Sequence, residues 1–100
     1  MSKRLGTLVI FGQRWKVVEN PKIPEHICGL CHYDKKLIEI RSGLNKDVAK
    51  ITLLHELLHS VFFRLGFAVT GMPREMEEII VDQISTALYE NLPEINKIYK

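Results

Sequence analysis

The stretch Thr52-Leu53-Leu54-His55-Glu56-Leu57-Leu58-His59-Ser60 limits this 100-residue chain more than any other. It lies in a run, Ala49 to Leu65, that reads as one helix. Ile51, Leu54, Leu58, Val61 and Leu65 recur at helical spacing, and Leu53, Leu57, Phe62 and Phe63 add apolar surface on other sides. A helix apolar nearly all round belongs at the centre of a fold, where two histidines and a glutamate are costly to bury without partners. His55 and His59 are four apart and so lie one above the other on the same face, able to point two imidazoles at one metal ion. Glu56 lies beside that face, close enough to touch a metal-held water without being a ligand itself. Two neutral nitrogens, an open coordination position and an adjacent carboxylate are what a zinc hydrolase requires.

A length of 100 residues gives a single domain, 1–100, with room for one small core. Net charge is +2, from 14 basic and 12 acidic side chains. That balance argues against a nucleic-acid partner or a membrane surface. Leu8-Val9-Ile10-Phe11 is too short for the core of a signal peptide, so a cytoplasmic location is expected. Two cysteines are too few for a disulfide scaffold, and a reducing compartment fits them.

In chain order, Leu5–Phe11 and Arg14–Glu19 read as two strands of a hairpin turning at Gly12-Gln13, with Trp15 and Val17 on one face. Asn20-Pro21 and Ile23-Pro24 interrupt regular structure, and Glu25–Leu30 reads as a loop or a short strand. Cys28-Gly29-Leu30-Cys31-His32 formally matches c-type haem attachment. Haem attachment needs export, a thioredoxin-like pair needs a strand-then-helix context, and a second zinc site has only His26 and His32 nearby, so a structural role is favoured. Leu37-Ile38-Glu39-Ile40-Arg41 alternates as a half-buried strand. Placed at the sheet edge beside the cleft, Ile38, Glu39 and Ile40 are expected to hold an extended peptide by strand addition. Asn45 is a good N-cap, the metal helix begins near Lys46, and Gly66 stops it. A loop is expected over residues 67–72. A second helix follows from Pro73 to about Asn91, ended by Leu92-Pro93, with Met76, Ile80, Ile84 and Ala87 marking its core face. Glu94–Lys100 reads as a tail.

Two histidines leave a catalytic zinc one protein ligand short. The second helix offers Glu75, Glu77, Glu78 and Asp82. Glu78 and Asp82 share a face, so one carboxylate can take the metal while the other accepts a histidine N–H. Glu78 is favoured, and Glu77 is the rival because one register shift exchanges them.

His55-Glu56-x-x-His59 followed by Glu78-Ile79-Ile80-Val81-Asp82 resembles the gluzincin metallopeptidases, nearest to small phage-type and ImmA/IrrE-like members and more distantly to SprT-like proteins. The resemblance covers roughly Leu37 to Leu92. It implies Glu78 as third ligand, Asp82 as support to His55, and one zinc ion per chain. It implies an α+β fold: a small N-terminal antiparallel sheet of about three strands packed on a central metal-binding helix and a second C-terminal helix, a zincin-like minimal core. The expected function is a zinc-dependent metallopeptidase acting on a peptide or protein substrate, with Glu56 as general base. The alternative is a non-catalytic, zinc-stabilised protein-interaction module of the same fold. Tyr33, Tyr89, His26 and His32 are candidates for stabilising an oxyanion, with none singled out.

Overall fold

The structure, a computed structural model, describes residues 1–66 and 70–99. Four strands come first: β1 (Lys3–Ile10), β2 (Gln13–Asn20), β3 (Gly29–His32) and β4 (Leu37–Arg41). Two helices follow, α1 (Lys46–Leu65) and α2 (Arg74–Ile98). The α+β class is as expected from the sequence, and the sheet gains one strand and one parallel pairing. Its order is β1-β2-β4-β3. β2 runs parallel to β4, while the β1–β2 and β3–β4 pairs are antiparallel.

The first hairpin turns on Phe11-Gly12, one residue earlier than expected, with Ile10 paired to Gln13. Both turn residues have positive φ, 49° and 79°, the combination that matches the twist of two strands joined by a two-residue loop. After β2 the chain crosses to the far edge, forms β3, and returns through Tyr33–Lys36 so that β4 slots between β3 and β2.

Alternation in β2 and β4 sends Trp15, Val17, Ile38 and Ile40 to one face, where they form a buried cluster with Ile10. Leu53, Leu57 and Val61 of α1 pack against it. The stripe expected to be innermost on α1 is displaced. Thr52, Glu56, His59, Ser60 and Phe62 are its buried positions, while Leu65 is exposed. The caps behave as expected: the Asn45 side chain accepts from the Val48 N–H at 2.9 Å, and Gly66 ends α1 in the left-handed conformation, φ 75°.

α2 departs from expectation in two ways. It runs through Pro93 to Ile98. Proline removes one helical N–H, but this stretch is exposed, so water satisfies the freed carbonyl and the helix resumes, closing with the Tyr99 N–H on the Ile95 carbonyl. Its inward face is also rotated: Val81 and Ser85 are buried, whereas Met76 and Ile84 are exposed. The loop expected over residues 67–72 lies partly outside the described residues. No helix among the described residues is long and apolar enough to cross a membrane.

Ile38, fully buried at the middle of the sheet, tests this core. Ile38→Ala is expected to cost about 3 kcal/mol, measured by urea unfolding followed through the buried Trp15.

Candidate metal centre

α1 and α2 run antiparallel, so pairings reverse along the seam: Asp47 meets Tyr89, His55 meets Asp82, and His59 meets Glu77. The helical spacing of His55 and His59 brings their Nε2 atoms to 3.1 Å from each other. Glu78 reaches between them, one carboxylate oxygen 2.7 Å from His59 Nε2 and the other 3.5 Å from His55 Nε2. The ligand atoms of His55, His59 and Glu78 all lie within 4.8 Å of one another.

The far side of each ring is engaged by a second carboxylate. His59 Nδ1 donates to Glu77 Oε2 at 2.7 Å, and His55 Nδ1 lies 3.0 Å from Asp82 Oδ1. With the Nδ1 sides facing these carboxylates, both Nε2 atoms and the Glu78 carboxylate converge on one point. Three donor groups so placed can share one cation. Two nitrogens at roughly 2.05 Å from a common tetrahedral ion sit about 3.3 Å apart, close to the separation observed here. The donor set therefore fits a metal ion. The Glu78 side chain is 48 % exposed, so the cluster faces solvent on one side.

These residues line a cleft of about 770 Å³ between α1, α2 and β3. Glu56 lines it too, with only 8 % of its surface exposed. Burial pushes its carboxyl above the usual range, opposed by the positive fields of His55 and His59 and reinforced by Glu78. Cys31 also lines the cleft, and burial together with Glu56 raises its thiol to about 12. Cys28 and Cys31 are both free thiols.

The expected ligands His55, His59 and Glu78 are brought together, Asp82 stands beside His55, and Glu56 shares the cleft. The placement of Ile38, Glu39 and Ile40 along a substrate is corrected. β4 is paired on both sides, to β2 and to β3, so it has no free edge to offer. Ile38 and Ile40 are core residues, and Glu39 is occupied by His32 at 2.7 Å and by the Asn20 side chain at 2.8 Å. The edge strand at the cleft is β3. Glu77, weighed as a rival ligand, stands on the Nδ1 side of His59 at 2.7 Å, outside the His55–His59–Glu78 group. The antiparallel seam explains it, because the later histidine on α1 must meet the earlier acid on α2.

No family model, curated protein or solved structure matches this chain.

Variants of the two adjacent glutamates separate ligand from orienting group. Competition against a chromogenic chelator is expected to show Glu78→Ala weakening divalent-metal binding by about 1,000-fold or more. Glu77→Ala is expected to weaken it by about 10- to 100-fold, as for loss of an outer partner. The reverse order assigns Glu77 as the ligand.

Proposed function

We propose that this chain is a zinc-dependent metallopeptidase of minimal gluzincin type, with His55, His59 and Glu78 holding zinc and Glu56 as general base. The observation that carries this reading is Glu56: a buried carboxylate with a raised pKa, in the same cleft as an open His-His-Glu cluster. Two histidines and a carboxylate can also hold ferrous iron for oxygen chemistry. A proton-accepting carboxylate beside the cluster favours hydrolysis.

When bound there, zinc lowers the pKa of a coordinated water towards about 7 and polarises the scissile carbonyl. Glu56 accepts the proton of the attacking water on its carboxylate and delivers it to the amide nitrogen as the C–N bond breaks. Burial suits both halves of this task, because a carboxylate of raised pKa takes the proton readily and holds it until the amine leaves.

The substrate lies along β3. Leu30 faces Glu39 and His32 faces Leu37 in the antiparallel register, and the Arg41 N–H bonds the Cys28 carbonyl at 2.8 Å. This makes Cys28, Leu30 and His32 the residues whose backbone groups turn towards β4. The alternate residues, Gly29 and Cys31, turn theirs to the outer edge, where an extended peptide can pair with them. Of the candidate oxyanion donors, Tyr33 and His26 line the cleft, whereas Tyr89 is bonded to Asp47 and His32 to Glu39. The Tyr33 ring is stacked on Phe63 with centroids 4.2 Å apart, and burial and nearby negative groups raise its hydroxyl to about 12, so it remains a donor at neutral pH. Two free thiols fit a cytoplasmic location.

Glu56→Gln is expected to retain about one zinc per chain by elemental analysis, and to lose at least about 100-fold in kcat on a peptide library that the wild type cleaves. Cleavage at the wild-type rate by this variant removes Glu56 from the mechanism. N-methylation of substrate amides that pair with Gly29 or Cys31 is expected to raise KM by about 10-fold or more per group lost. Unchanged KM moves the substrate off the β3 edge.

A further inference from the structure

Gly29 lies in β3 where that strand passes over α1. Its backbone conformation is an ordinary one, so the requirement for glycine here is one of space. A Cβ at this position would lie 2.8 Å from Thr52 Cγ2, 3.1 Å from the Glu39 carbonyl oxygen and 3.1 Å from Glu56 Cγ. Thr52 and Glu56 are four apart and share a face of α1, so the added atom would press on both side chains. At 2.8 Å something must move. The Glu39 carbonyl belongs to a strand paired on both sides and is fixed, which leaves the side chains of α1 to give way.

The Glu56 stem is buried, at 8 % exposure. Among the described residues its carboxylate makes no hydrogen bond, so its rotamer is set by packing. Gly29 is also one of the two β3 residues whose backbone turns outward to the free edge. One residue thus borders the base on one side and the substrate's backbone on the other.

We propose that Gly29 is a positioning residue for Glu56: the slot left by its missing side chain holds the Glu56 stem so that the carboxylate enters the cleft at the place where β3 seats the peptide. This rests on the peptidase reading for its catalytic consequence, and on the packing alone for its effect on Glu56. Misplacement of a reacting group by about 1 Å costs on the order of 100-fold in rate.

The test uses the zinc-loaded full chain in four forms: wild type, Gly29→Ala, Thr52→Ser and the double variant. Thr52→Ser deletes the Cγ2 atom responsible for the 2.8 Å contact and leaves the Glu56 contact in place. Gly29→Ala is expected to lower Tm and to reduce kcat by about 100-fold, with zinc affinity within about 3-fold of wild type. The double variant is expected to recover Tm and zinc affinity while kcat stays at least about 10-fold below that of Thr52→Ser. NMR three-bond couplings reporting the Glu56 χ1 rotamer are expected to shift in both variants that carry alanine at 29, without substrate present. Should the double variant recover kcat along with Tm, or should the Glu56 couplings match those of Thr52→Ser, Gly29 is only a packing residue and the proposal is overturned. Shifted couplings in a protein whose wild type cleaves nothing uphold the positioning of Glu56 and overturn the peptidase reading instead.

Discussion

The seam between α1 and α2 is polar at its centre, and the rest of the structure is built around that fact. Helix pairs usually meet through apolar side chains. Here the meeting residues are His55, His59, Glu77, Glu78 and Asp82. Three carboxylates and two imidazoles so close together are held by protons, by solvent or by a cation, and Glu78 and Asp82 keep 48 % and 65 % of their side chains exposed. Glu77 bonds His59 Nδ1 at 2.7 Å, and Asp82 stands 3.0 Å from His55 Nδ1. What remains is the convergence of two Nε2 atoms and one carboxylate, which a divalent ion satisfies in one step. The same seam accounts for the rotation of α2. The face of α2 turned towards α1 carries these acids at its rim and buries Val81 and Ser85, leaving Met76 and Ile79 on the surface.

On the other side of α1 the sheet supplies what the seam cannot, a dry apolar surface. Trp15, Val17, Ile38 and Ile40 come from β2 and β4, the two interior strands. Because β4 is inserted between β2 and β3, the most hydrophobic strand becomes the anchor for α1, and the short, glycine-containing β3 is left at the cleft. That division of labour is physically sensible. A strand whose side chains fill the core has none to lend to a ligand, whereas an edge strand keeps alternate backbone groups free.

The residues of the metal cluster were legible in the sequence because helical spacing is a rigid rule: two histidines four apart share a face in any α-helix. Glu78 and Asp82 were legible for the same reason. Glu77 could have been assigned too, had the antiparallel run of two consecutive helices been used to reverse the order of partners. The position of β4 was less accessible. Alternation reveals which residues of Leu37–Arg41 face inward, but strand order depends on where the 21–28 connection carries the chain, and nothing local encodes that. β3 was obscured by its four-residue length and by a Cys-x-x-Cys-His pattern that resembles other chemistry. The core face of α2 was misread because apolar periodicity identifies the packed side only when packing is apolar. Pro93 misled for a related reason, since a helix exposed to water can continue past a missing N–H.

The geometry also bears on whether such a centre is for chemistry or for holding the fold together. A structural zinc site is closed by four protein ligands. Here three protein groups converge, and Glu78 keeps about half of its side chain in solvent, so the fourth direction opens into the cleft. Glu56 makes the distinction sharper. It sits beside the cluster without joining it, its stem buried and its carboxylate lining the cleft. On the hydrolytic reading proposed above, Glu56 is the proton acceptor, in the cleft it shares with His55, His59 and Glu78.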